Sequence, residues 1–404
     1  MPVMSSRLSL AFTSVGHLYS HLFMLLYATV VLALESEFDR PYGELLVLAL
    51  PGFIAFGAGA LPAGWLGDRW SATGMMVTFF VGTGFASILT GFARTPFEIA
   101  VGLTLIGTFA SIYHPVGIAW VVRHAVKRGK ALGINGLFGN LGISAAALIA
   151  GAITDLIGWR AAFIIPGAVC VATGLVFSLF ARSGQIAAAT TDRVALPPVT
   201  RRDMLRALSV VAVASLCGGL VFQSISVGLP KVFAERGAGL VTGTLGIGGL
   251  VAVVYGVAGF AQIIVGHLID KHAVKPVYVT IYLLEAPLLL AAAGLYDLPL
   301  LLVAVPFVFL NVGALPVLDS VVARYTPVEW RATIYGAKFV IGLGVSALGV
   351  PMVALIHDLT GGFTWLFVTL SGLALAIVAA GLFLPSERPA APSPAAAGAP
   401  DQAD

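Results

Sequence analysis

Gly64-Trp65-Leu66-Gly67-Asp68-Arg69 and Gly266-His267-Leu268-Ile269-Asp270-Lys271 are two copies of one short phrase, 202 residues apart. Each closes a long apolar run, and each ends on an acid followed by a base. The register holds elsewhere in the chain. Gly142-Ile143-Ser144 matches Gly344-Val345-Ser346 at the same offset, and Asp155 matches Asp358 at 203. Three matches in register over half a chain point to a duplicated unit, and internal repeats of this kind are characteristic of membrane transporters.

The runs between these phrases decide the medium. The 404 residues are 59% hydrophobic and only 10% charged, with a mean hydropathy of +0.99. A water-soluble domain needs a polar skin that this composition does not supply, so much of the surface must face lipid. In lipid the backbone has to satisfy its own hydrogen bonds, which leaves helices or a closed barrel. Barrel strands would read as short alternating segments, whereas these runs are long and unbroken. With about 20 apolar residues per crossing, the sequence predicts twelve spans. They are 9–34, 44–65, 74–92, 97–122, 131–154 and 159–181, then 206–233, 243–269, 276–295, 299–323, 331–356 and 363–384. The expected fold is all-α integral membrane, with two pseudo-symmetric six-helix bundles at 1–181 and 206–385. A central loop at 182–205 joins them, and a Pro/Ala-rich tail at 386–404 is expected to be disordered. The first run, after Arg7, is too long for a cleaved signal and reads as a span.

Cations set the orientation. One set of loops carries Arg69, Arg123, Lys127, Arg128, Lys130, Arg182, Arg193, Arg201, Arg202, Arg206, Lys271, Lys275, Arg324 and Arg331. The other carries only Arg40, Arg94, Arg160, Lys231 and Arg236, beside Glu35, Glu37 and Asp39. Both termini are therefore expected on the cytoplasmic side of a bacterial-type inner membrane. The net charge of +3 and the absence of a basic tract exclude a nucleic-acid partner. Cys170 and Cys217 fall in separate apolar runs and read as small buried residues.

The phrase Gly64-x-Leu66-x-Asp68-Arg69 resembles the loop motif of the major facilitator superfamily. The copy at Gly266–Lys271 stands where that superfamily repeats it. Asp155-x-x-Gly158-Trp159-Arg160-x-x-Phe163 resembles the same superfamily at the entry to the sixth span. The resemblance covers essentially the whole chain and implies two bundles rocking about a central cavity. It also implies a gating role for Asp68, Arg69, Asp270 and Lys271. Tyr113-His114-Pro115, Lys127–Ala131 and Gly139-Asn140-Leu141-Gly142 resemble the fosmidomycin-resistance branch, which implies drug-type export.

A titratable side chain at bilayer depth costs roughly 2.5–3.5 kcal/mol or more, so each needs a reason. His17 and His21 lie one turn apart on one face of the first span. His114 lies nine residues before Arg123, about 13 Å of helix rise, at a depth like that of His21. Histidine titrates near neutrality, so these three suit proton coupling. A polar substrate contact, a metal, or plain packing are the alternatives. Asp319 and Lys338 lie at comparable depths on spans ten and eleven, where an ion pair or an anion-attracting site is expected. Glu285 in span nine is a secondary proton-site candidate. Gln223 and Asn311 are neutral polar groups that would face the cavity or tie helices together. The glycines Gly133, Gly136, Gly139 and Gly142 on span five, with Gly243, Gly246, Gly249, Gly256 and Gly259 on span eight, suit a sliding seam. Pro115 is expected to kink span four.

No nucleotide-binding loop, nucleophile triad or local metal-ligand spacing is present. The expectations are therefore no enzyme activity, no cofactor and no resident metal. The expected function is a monomeric secondary transporter, proton-coupled, exporting a small organic compound. The alternatives are uptake of a small organic anion or metabolite, and a transporter-like sensor.

Overall fold

A computed structural model describes residues 2–124, 128–183, 200–326, 334, 338 and 340–385. The tail at 386–404 and most of the central loop lie outside the described residues. The described chain is helical throughout. The helices are α1 (Pro2–Phe38), α2 (Tyr42–Arg69, including a 3-10 turn at Val47–Ala49) and α3 (Ala72–Gly91). Next comes α4 in three pieces: Pro96–Ala110, a π turn at Tyr113–Gly117, and Ile118–His124. The first half ends with α5 (Arg128–Leu156) and α6 (Trp159–Arg182). The second half has α7 (Arg201–Arg236), α8 (Gly243–Ala258 and Ala261–Lys271), α9 (Val274–Ala292) and α10 (Asp297–Tyr325). Of α11 the described parts are a π turn at Val340–Val345 and Gly349–Thr360, and α12 is Thr364–Gly381.

Eleven of these helices are long and apolar enough to cross a membrane, and Gly349–Thr360 is a shorter apolar piece where the eleventh span is expected. The protein is an integral membrane protein of two six-helix bundles. Residues at the helix starts account for several boundaries. Ser71 accepts from the Gly74 N–H, Thr95 from that of Glu98, and Thr200 from that of Asp203, each satisfying an amide with no partner within its helix. The Thr200 cap starts α7 at Arg201, five residues before the expected span. The eighth span is likewise not one unbroken helix but two pieces meeting at Gly259-Phe260.

The repeat continues into the backbone. Gly158 and Gly361, 203 residues apart, both have positive φ, +112° and +69°. Each follows the end of its helix three residues after the matched aspartate, where a side chain would be strained. Those aspartates then do matching work across the two halves. Asp155, at the end of α5, accepts from the Thr244 and Leu245 amides at the start of α8, at 3.2 and 2.7 Å. Asp358, at the end of α11, sits against the start of α2, where a Cβ on Gly43 would lie 2.0 Å from its carboxylate. A carboxylate at a helix N-terminus is favoured by the helix dipole.

The same two crossings form the seam between halves. Asn140 donates to the Tyr255 carbonyl and Ser144 to that of Ala252, joining α5 to α8. Gly151 approaches Thr244 O, and Gly248 approaches Ala147 O, so closely that a Cβ would come within 2.3 and 2.2 Å. Of the glycines expected at the seam, Gly136 faces Gln262 of α8, and Gly243, Gly256 and Gly259 face α5, whereas Gly139 and Gly142 face α1 and Gly133 and Gly249 meet nothing within 4 Å. The closest backbone approach is made by Gly151 and Gly248, which were not among those expected.

Candidate functional site

His17 and His21 project from one face of α1 toward the π turn of α4. That turn begins Tyr113-His114-Pro115. Proline removes an amide donor and its ring crowds the preceding turn, so the helix widens locally to accommodate it. The expected kink is thus realised as a π turn, which re-aims His114. The three imidazoles meet. Ring centroids are 5.0 Å apart for His17–His21, 5.4 Å for His17–His114 and 5.4 Å for His21–His114. Their nitrogens come within 4.8 Å of one another. His17 and His114 are buried, and His21 retains some exposure.

The surroundings hold these rings in place. His17 Nδ1 lies 2.7 Å from the backbone carbonyl of Asn135 on α5. A carbonyl can only accept, so Nδ1 carries the proton and Nε2 keeps its lone pair. On its face, His17 stacks on Tyr113 at 5.0 Å and 21°. Tyr113 donates to the Thr13 carbonyl and accepts from Asn135 Nδ2, both at 2.7 Å. Phe56 of α2 packs edge-on against His114 at 5.5 Å. Gly139 of α5 faces the Nε2 edge of His17, where a Cβ would lie 2.6 Å from that atom. Asn135, Phe56 and Gly139 were not singled out as cage residues from the sequence. Asn135 carried a usable signal, being an amide at bilayer depth in an apolar helix.

The other candidates sit apart from this cage. Lys338 of α11 pairs with Asp319 of α10, as the depths in sequence suggested. Its ammonium is largely buried while the carboxylate is half exposed. Asn311 donates to Glu285 at 2.8 Å, and both are buried between α9 and α10. That amide is committed to its own half. Gln223 is buried on α7 against Gly349 of α11. Arg69 lies over the Trp65 ring at 5.1 Å. Asp68, Asp270 and Lys271 are exposed at helix ends.

A second polar cluster bridges the halves at the end of the bundle opposite the termini. Lys231 of α7 contacts Glu35 of α1 at 2.5 Å and Glu235 at 3.8 Å. It also lies 5.1 Å above the Tyr42 ring of α2. Glu235 accepts from His357 Nε2 at 2.7 Å, and His357 Nδ1 is 3.3 Å from Asp358. The hydrogen bond to Glu235 raises the His357 pKa above its ordinary value, against a smaller opposing effect of burial. From the sequence Glu35 and Lys231 read only as loop charges, and Asp358 only as the match to Asp155.

A family model described as Major Facilitator Superfamily matches residues 13–260. The chain is 24% identical over 377 residues to a gallate transporter of Pseudomonas putida, covering 82% of each protein. It is 26% identical over 149 residues to a probable sulfoacetate transporter of Cupriavidus necator, covering 36% of this chain and 31% of that one. Among solved structures it resembles a bacterial homologue of the human lysosomal transporter Spinster, inward-facing and unoccupied. The TM-score is 0.72 at 14% identity, covering 94% of this chain and 95% of the other.

Proposed function

The chain belongs to the Major Facilitator Superfamily, and from that premise we propose that it couples the movement of a small organic anion to that of protons. The observation that carries this is the cage of His17, His21 and His114. Three imidazoles in mutual contact offer neutral nitrogen bases that can take up and hand on a proton as a coupled group. Each proton added repels the next, so the cage passes charge readily and favours an anionic companion. Lys338, held by Asp319, places an ammonium in the second half. The similarity to proteins named for gallate and sulfoacetate, both anions, supports the same substrate class.

In this reading the halves, 1–181 and 206–385, rock about the α5–α8 and α2–α11 crossings. The cation-rich loops and both termini face the cytoplasm of a bacterial-type inner membrane. Asp68, Arg69, Asp270 and Lys271 act at that face as gating residues. Export is the second reading, favoured by the resemblance of Tyr113-His114-Pro115 to the fosmidomycin-resistance branch.

Purified protein in proteoliposomes, given labelled gallate with and without an imposed pH gradient, tests both readings. The expected result is accumulation against the substrate gradient driven by protons, abolished in His21→Gln and His114→Gln. Equilibration indifferent to the pH gradient would remove proton coupling and leave facilitated transport. Accumulation on the alkaline side indicates symport, and on the acidic side antiport and export.

A further inference from the structure

The histidine cage has a property that proton transfer does not require: it is arranged as a metal-ligand set. We propose that His17, His21 and His114 bind one first-row divalent cation, with Zn2+ or Co2+ best suited. The fourth position is then open to water or to an anionic oxygen. This goes beyond the transport reading: both use the same three histidines, but the metal site does not depend on proton coupling.

The donor set is right. Imidazole nitrogen suits zinc and its neighbours, and three histidines with one open position form a known coordination pattern for zinc. The spacing is near. Metal–nitrogen bonds of about 2.0–2.1 Å place tetrahedral nitrogens roughly 3.3 Å apart, and these nitrogens already lie within 4.8 Å of one another. Small rotations of three side chains close the difference.

The supporting shell is what a metal site needs. A ligating histidine commonly donates its second N–H to a carbonyl or carboxylate, which fixes the tautomer and aims the free nitrogen. The contact of His17 Nδ1 with the Asn135 carbonyl does this at 2.7 Å. Asn135 is in turn tied to Tyr113, whose ring stacks on His17. Glycine at position 139 lets α5 approach the Nε2 edge of His17, where any Cβ would come within 2.6 Å of that nitrogen. His21 retains exposure, which gives an ion a way in. The three ligands are neutral, so a bound dication keeps its charge at bilayer depth. That charge draws an anion to the open position.

Metal and protons compete for the same nitrogens, so affinity must fall as pH falls. The test uses full-length protein in detergent, purified without a histidine tag. It is titrated with Co2+ by visible absorption and with Zn2+ by calorimetry. The expected result is one equivalent per chain with the intense bands of four-coordinate cobalt. Affinity should fall about tenfold or more in His21→Gln and in His114→Gln, and stay unchanged in His267→Gln and His272→Gln. Absence of saturable binding, or binding unaffected by the two cage variants, would overturn the proposal. Should those variants fail to fold, Cu2+ bound to the wild-type protein can be examined by electron paramagnetic resonance. Coupling to three nitrogens supports the site, and coupling to fewer overturns it. Gradient-driven transport measured in chelator separates the two readings, since the proton mechanism survives there and the metal site does not.

Discussion

Replacing Glu35 by Gln should loosen the end of the bundle where α1 and α7 meet. Lys231 reaches Glu35 at 2.5 Å, with side chains 13% and 31% exposed, and its second carboxylate is 3.8 Å away. Exposed pairs contribute about 0–1 kcal/mol, and truncating one member of a buried pair costs about 3–5 kcal/mol. A partly buried pair with a weaker second partner falls between, at about 2 kcal/mol. Glu35 and Lys231 belong to different halves, so the pair exists only while these ends touch. At about 1.4 kcal/mol per decade, its loss shifts the balance between touching and parted ends about 30-fold. An end closed 99% of the time would then be closed about three-quarters of the time. Spin labels on Ser36→Cys and Ala238→Cys, with Cys170 and Cys217 replaced by Ala, read that balance by double electron–electron resonance in the full chain. The expected result is one short distance in the parent and a second, longer population in Glu35→Gln and in Lys231→Met. Superimposable distributions would refute the assignment of this pair as a latch.

His357 of α11 faces Glu235 and Lys231 on α7, Asp358 beside it, and Tyr42 across the seam. Glu235, which raises its pKa, belongs to the same half, so the shift bears on the packing of α7 with α11. The stabilisation is complete below the ordinary value of about 6.5 and is lost as pH rises through the raised value. The Tm should thus fall on the alkaline side, and that fall should shrink in His357→Gln. Gly43→Ala would drive a Cβ into the Asp358 carboxylate; overpacking of this kind costs about 1–3 kcal/mol, read as a lower Tm and a parted far end. Glu285→Gln should change the Tm little, because it still accepts from Asn311, whereas Glu285→Leu orphans that amide at about 1–3 kcal/mol. Asp155→Ala removes the acceptor for two amides of α8 and should cost about 1 kcal/mol by the same measurement.

The spans and the duplication were legible in the chain, because lipid imposes length and apolarity locally. What sequence could not carry was which faces meet. His17 and His21 were visible as a pair, since one helical turn relates them. That His114 closes the triangle depends on a π turn, and that His17 is anchored by Asn135 depends on where α5 packs. The ion pair of Asp319 with Lys338 was recoverable because antiparallel neighbours at equal depth must come close. Asn311 was assigned to the cavity or to helix contacts, and the rotation of α10, set by packing, turns it to Glu285. Glu35 and Lys231 stood out only as loop charges, because their meaning requires two halves in contact.

The helices that cage the histidines are also the helices that touch the second half. His17, His21 and Glu35 share α1, so the cage and the latch lie on one rigid rod. Phe56 of α2 packs on His114, and Gly43 at the start of α2 meets Asp358. Toward its other end α2 carries the repeated phrase, where a Cβ on Gly64 would lie 3.2 Å from Pro115 and one on Gly67 2.8 Å from Val116. Both contacts fall on the π turn that holds His114. Close-packed contacts transmit displacement rather than absorb it. A change of charge or ligand at His114 that shifts this turn must therefore be taken up by α2. One end of that helix bears the first copy of the repeated phrase, and the other is pressed on Asp358. The cage and the far end thus share two helices, α1 and α2, and the expected coupling between them is read by a shift of the label distances in His114→Gln.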